Sequence, residues 1–226
     1  MSKLFLRFKS LTQYVSDVHL ERGFVRNIKP EKPFLILAGD IGHPFQKDYS
    51  NFLHYLSRQF DKVFVLSGNH EYDFSQSVEY VDSKIQDICS MRNNLFFVQK
   101  NTHVLCEENN LHLAGCTLWS KLPRSKAIYY EDHKRWLKNL LDKNSQNNYI
   151  VATHHCPLFE CLDKTKIINY LPNYFASDQS EIIKKQNLVA WVHGHSHLNK
   201  NIYAHDKWIL SNQYGYSKYA LYGYKK

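Results

Sequence analysis

Five apolar, strand-like runs in this chain each stop on a short cluster of carboxylate, amide or imidazole residues. The clusters are Asp17-Val18-His19, Gly39-Asp40, Gly68-Asn69-His70-Glu71, Thr153-His154-His155 and Gly194-His195-Ser196-His197. Phe34 to Ala38 and Lys62 to Ser67 are continuous apolar runs, which fits strands covered on both faces. Leu11 to Ser16 alternates, and Tyr149 to Thr153 and Leu188 to Val192 supply the other two strands. Between the early runs, residues 47–60 place Phe52, Leu53, Leu56 and Phe60 at helical spacing, and residues 75–90 do the same with Val78, Val81, Ile85 and Ile88. This alternation predicts a mainly parallel sheet with helical cover. In such a sheet the carboxyl ends of the strands share one edge, and ligands gather there.

The middle of the chain changes character. Leu95 to Val98, Thr102 to Cys106 and Leu111 to Ala114 read as short strands, joined as hairpins in a second sheet. A helix is expected over 131–142, where Trp136, Leu137, Leu140 and Leu141 share a stripe, and another over 178–187. Residues 157–176 lack periodicity and read as a loop or lid, and the tail 199–224 alternates like two or three strands. There is no internal repeat and no long linker, so residues 1–226 are read as one domain.

The clusters carry metal-ligand chemistry. Asp17 and His19 are two apart, so on extended backbone both point the same way, and His195 and His197 share that spacing. Asp40 has two carboxylate oxygens that could bridge two ions. Asn69 offers an amide oxygen and His154 an imidazole. Nitrogen and oxygen ligands without thiolate suit Mn, Fe, Zn or Co and do not choose among them. Two divalent ions held this way, with an open face, form a site for phosphate-ester hydrolysis.

Bulk properties narrow the setting. Five cysteines without a regular framework indicate reduced thiols and a cytoplasmic location. The first nine residues have charges too closely spaced for a signal segment, and no apolar run approaches a membrane span. A formal charge of +8 favours anionic partners. A phosphate-ester substrate, a nucleotide among them, fits that charge, and nucleic acid is the less favoured partner. The oligomeric state is left open.

The pattern D-x-H, G-D, G-N-H-[DE], a later strand-end histidine and G-H-x-H resembles the calcineurin-like metallophosphoesterase superfamily. Ser16 to Glu21, Leu37 to Gly42, Trp191 to His197 and Ser211 to Tyr216 resemble its small bacterial-type phosphohydrolases. The resemblance implies an α/β (α+β) fold, a four-layer α/β/β/α sandwich with two mixed β-sheets. It gives Asp17, His19 and His197 to one metal and Asn69, His154 and His195 to a second, with Asp40 bridging. It places His70 outside the metal shell, facing the scissile phosphate. The expected reaction is hydrolysis of phosphomonoesters or phosphodiesters by a hydroxide bridging two divalent metals, with His70 as proton donor. The competing readings are an inactive scaffold of the same fold that binds a protein partner, and a nuclease. No ligand position is eroded, which speaks against the scaffold. The chain lacks room for added DNA-binding domains, which speaks against the nuclease.

His43, just past Asp40, and the segment carrying Asn212 and Tyr216 are candidate substrate contacts. Arg22 and Arg124 are candidate phosphate clamps set against plain solvated arginines. His155 and His193 read as structural, and Glu71 and Tyr72 as turn residues. The tail interleaves Tyr216, Tyr219, Tyr222 and Tyr224 with Lys218, Lys225 and Lys226. A final strand with Tyr216, Tyr222 and Tyr224 on one packed face is preferred there over a stacking platform for single-stranded nucleic acid.

Overall fold

Alternate residues of the central strands point into different cores, and this parity sets the layering. A computed structural model describes residues 2–23, 27–73, 77–163, 172–216 and 224–225. Strands β1 (Thr12–Val15), β2 (Phe34–Ala38), β3 (Lys62–Leu66) and β4 (Leu95–Phe97) form one sheet in that order, parallel throughout. Leu35, Leu37, Val63 and Val65 face helices α2 (Lys47–Ser57) and α3 (Val78–Ser90), where they meet Leu53, Leu56, Val81 and Ile85. The intervening Ile36, Ala38, Phe64 and Leu66 turn the other way, into a core shared with the second sheet.

The second sheet has the order β5-β6-β7-β8-β10-β9, from β5 (Asn101–Cys106), β6 (Leu111–Cys116), β7 (Asn148–Thr153), β8 (Leu188–His193), β9 (Ile202–Ala204) and β10 (Lys207–Ser211). Its inner strands are parallel, and β5 and β9 close its edges antiparallel. Leu113, Ile150, Ala152, Ala190 and Val192 face the first sheet. Ala114, Val151 and Trp191 face outward against Leu137 and Leu141 of α4 (Ala127–Lys143) and Ile182 and Ile183 of α5 (Ser180–Ile183). Three apolar cores separated by two sheets give the four-layer α/β/β/α arrangement. Among the described residues no helix is long and apolar enough to cross a membrane, and the five cysteines are free and buried.

Several expectations need correction. Leu95–Phe97 is not part of a hairpin in the second sheet. It pairs parallel with β3, because α3 returns the chain to the edge of the first sheet. The amino-terminal segment is helical, α1 (Lys3–Leu11), with the Ser2 hydroxyl accepting from the Phe5 amide at 3.2 Å and with Phe5 and Phe8 buried. The helix expected over 178–187 shrinks to α5, where only Ile182 and Ile183 are buried. Within 157–176, residues 164–171 lie outside the described set, as do Lys218, Tyr219, Tyr222 and Lys226 of the tail. Tyr216 and Tyr224 do not share a packed face. Tyr224 lies 4.9 Å from Tyr214 at the margin of the first core, whereas Tyr216 is exposed over the histidine clusters.

Candidate metal centre

The parallel pairing of β1, β2 and β3 in one sheet, and of β7, β8 and β10 in the other, puts six carboxyl ends on one side of the sandwich. The two sheets meet there through the Ser16–Gln213 bridge and the His195 amide, which donates to the Asp17 carboxylate at 3.1 Å. The chain must turn sharply as each strand stops. Asp17, His19, Asp40, His195 and His197 have φ between 51° and 67°, a left-handed conformation uncommon for residues with a Cβ. Five such residues in one place mark a site that the surrounding structure holds under strain.

Three groups of ligand atoms converge among the described residues: Asp17 with His19 and His197; His19 with Asp40 and His70; and Asp40 with His154 and His195. Within each group the atoms lie within 4.8 Å of one another. His197 Nε2 is 3.1 Å from Asp17 Oδ1 and 3.2 Å from His19 Nε2. His154 Nε2 is 3.2 Å from Asp40 Oδ2 and 3.1 Å from Asn69 Oδ1. Asp40 Oδ2 also stands 3.8 Å from His19 Nε2 and 4.0 Å from His70 Nε2, so one carboxylate joins the groups.

Hydrogen bonds on the outer side of each ring decide which nitrogen faces inward. His154 Nδ1 is 2.9 Å from the Ala38 carbonyl oxygen, to which only an N–H can be offered, so Nε2 keeps its lone pair for the centre. His19 Nδ1 contacts Glu21 Oε1 at 2.7 Å, with the same consequence. His195 is reversed: Nε2 meets the Tyr174 carbonyl at 3.2 Å, which leaves Nδ1 as the inward nitrogen. With a cation in place of the inner proton, these imidazoles and shared carboxylates would form a donor set suited to a divalent ion, and no thiolate enters it.

The carboxylates are held ionised in spite of burial. Burial raises Asp17, but the hydrogen bond and charge of His197 outweigh it and bring the carboxyl down to about 2. Burial likewise opposes ionisation of Asp40, and His154, His70 and His19 hold it well below the usual range. The same attraction, led by Asp40, lifts His154 to about 9 against its burial. Burial and the charge of His154 push His195 down to about 3. Protons thus stand where cations would compensate the same negative charge.

His70 sits at the edge of the cluster. Its Nδ1 is 2.8 Å from Asp73 Oδ2, and its Nε2 is 2.9 Å from the Tyr216 hydroxyl. The Tyr216 ring lies 4.1 Å from His19 and 4.3 Å from His197, with the Arg22 guanidinium 4.7 Å from its centre. Of the other proposed contacts, His43 accepts from the Phe45 amide at 3.3 Å. Asn212 turns toward β1 instead: its amide donates to the Tyr14 carbonyl at 3.1 Å and pairs with the Lys225 backbone. His155 is buried with its ring 4.1 Å from His195, and His193 Nδ1 is 3.0 Å from the Gly194 oxygen. Arg124 lies in a short turn before α4.

Two residues matter more than their sequence context suggested. The buried Glu71 carboxylate accepts from the backbone amides of Ile41 at 2.7 Å, Gly68 at 2.7 Å and Asp40 at 3.1 Å. It ties the loop carrying Asp40 to the loop carrying Asn69, which is more than turn geometry. Gln213, fully buried, accepts from the His197 amide at 2.6 Å and donates to Ser196 Oγ at 2.7 Å, fixing the His195–His197 loop. Glu71 ends a ligand cluster and Gln213 lies in the Ser211 to Tyr216 segment, which are signals of position, but neither shows what the side chain would hold.

A family model described as calcineurin-like phosphoesterase matches residues 8–199. An uncharacterised protein of Acanthamoeba polyphaga mimivirus is 27% identical, with 92% of this chain and 91% of that protein covered. The fold is similar to that of phosphopantetheinyl hydrolase from Mycobacterium tuberculosis, with a TM-score of 0.68 at 15% identity over 91% of this chain and 89% of the other. It also resembles a Staphylococcus aureus protein described as a 5'-nucleotidase, with a TM-score of 0.57 at 14% identity over 89% of this chain and 48% of the other.

Proposed function

Because the chain belongs to the calcineurin-like phosphoesterase family, we propose that it is a metal-dependent hydrolase of phosphate esters. The observation that carries this reading is the position of Asp40 Oδ2, within 4.0 Å of His154, His19 and His70 at once. One shared carboxylate with nitrogen donors on both sides suits a pair of divalent cations. Asp17, His19 and His197 would hold one, Asn69, His154 and His195 the other, and Asp40 both. Such cations, when bound, neutralise phosphoryl charge and acidify water.

The protein's own groups then do the following. Asp73 accepts from His70 Nδ1–H, which turns Nε2 toward the cluster, and Nε2 carries a proton in the imidazolium form. Burial opposes the charge on His70, yet its hydrogen bond to Asp73 and the charge of Asp40 raise it to about 9, which keeps a proton available at neutral pH. His70 Nε2–H would donate to the departing ester oxygen. The Tyr216 hydroxyl now fills the hydrogen-bonding position which that oxygen needs, so substrate must displace Tyr216 or bind beside it. The fixed amides around Glu71 keep Asp40 and Asn69 in place through the reaction. A panel of p-nitrophenyl phosphate, its bis ester, cyclic nucleotides, dinucleotides and RNA, each with added manganese, tests the proposal. No metal-stimulated turnover on any member would reject it.

A further inference from the structure

A polar cavity of about 190 Å³ opens along the edge of β1, lined by Lys9, Lys32 and Lys225 together with Thr12 and Asn201. Neither the clustered histidines nor Asp17, Asp40 or Asn69 line it, so this is not the histidine cluster. We infer that it is a second anion site, built for an oligophosphate group such as a pyrophosphate or the phosphate tail of a nucleotide.

Three observations support the assignment. First, three ammonium groups from separate parts of the chain face one space that holds a single carboxylate, Glu31. None of the three lysines makes an ion pair among the described residues. Among the described residues Lys9 Nζ meets the Tyr14 hydroxyl, at 3.4 Å, and the Tyr14 ring, 4.8 Å away. Burial, then repulsion from Lys225 and Lys32, lowers its proton affinity. Gathering three like charges around one carboxylate costs folding energy, and an anion would recover it. Second, Thr12 lines the cavity, and among the described residues its buried Oγ1 has no hydrogen-bond partner. A buried hydroxyl left alone is uncommon and costly, and a phosphate oxygen would satisfy it. Third, the cavity has roughly six times the ~30 Å³ that a water takes up in liquid. That is ample for more than one phosphate group.

The test is calorimetric titration of the full chain, freed of metal by chelation, with pyrophosphate and with ADP. Micromolar binding that weakens at least tenfold in Lys9→Met/Lys32→Met, and several-fold in Thr12→Val, supports the site. Unchanged affinity in Asp40→Asn places the binding away from the histidine cluster. The double variant should still hydrolyse p-nitrophenyl phosphate at the wild-type rate, so loss of this site and failure of the hydrolase reading are separable. If the double variant does not fold, Lys225→Met, at an exposed position, gives the same reading. Equal affinity for pyrophosphate and ADP assigns the free anion, and tighter ADP binding assigns the nucleotide; both support an oligophosphate site. Affinity unchanged in folded lysine variants, or abolished in Asp40→Asn, would overturn the inference.

Discussion

Gly39 and His154 come from different sheets, and the absence of a side chain on the first allows the second its position. A Cβ on Gly39 would lie 2.5 Å from His154 Nδ1 and 2.7 Å from the Gly68 amide nitrogen, and Gly39 has a φ of +85°. The same Nδ1 must reach the Ala38 carbonyl to keep Nε2 free for the centre. Gly39→Ala should therefore displace His154 without removing any ligand. We expect manganese affinity to fall by at least tenfold while circular dichroism stays native. Wild-type affinity in a folded Gly39→Ala protein would show that this contact does not hold the ring in place.

Asp73 holds His70 Nδ1 at 2.8 Å, and the proposed reaction makes His70 the proton donor. His70→Ala should lower kcat by ~10²–10⁴, the usual weight of a positioned general acid, with bound metal unchanged by elemental analysis. The loss should shrink for substrates with good leaving groups such as p-nitrophenol, which leave without protonation. An equal loss across leaving groups would point instead to a role in phosphate binding.

Glu71 anchors three backbone amides inside the protein. Glu71→Ala leaves those N–H groups unpaired, at ~1–3 kcal/mol each. Unfolding free energy should fall by at least ~3 kcal/mol, and the thermal midpoint by roughly 10 °C at ~2–4 °C per kcal/mol. Metal binding should weaken as well. A midpoint within a degree or two of wild type would mean that water replaces the carboxylate without cost.

His133, outside the ligand clusters, gives the protein an acid-side liability. It is buried, 3% exposed, and its Nδ1 accepts from the Leu118 amide at 3.1 Å. Burial, then the charge of Lys100, lowers it from 6.5 to about 4. Below pH 6.5 the unfolded chain takes up a proton that the folded chain refuses, so stability falls as pH drops from 6.5 to about 4 and levels off below that. The full gap corresponds to on the order of 3 kcal/mol. In denaturant titrations at pH 7 and pH 4.5, His133→Gln should narrow the difference between the two pH values by roughly 2 kcal/mol, the part of the gap developed over that range. An unchanged difference would assign the acid sensitivity to other groups.

The chain's own order of residues determined which strands exist and which atoms lie at their tips. Apolar runs over Phe34–Ala38 and Lys62–Leu66 could be read because a strand buried on both faces has almost no polar residue to confuse the pattern. Asp17, Asp40, Asn69, His154 and His195 follow such runs directly, so their shared edge needed only parallel pairing. Tertiary structure decided the rest. Whether Leu95–Phe97 joins one sheet or the other depends on where α3 returns the chain, and three residues carry no record of that. The choice of Nδ1 in His195 but Nε2 in His154 is made by the Tyr174 and Ala38 carbonyls, far away in sequence. Gln213 and the lysine-lined cavity likewise arise from contacts between segments that share no local pattern, since hydrogen bonds and charge repulsion act through space and leave no periodicity along the chain.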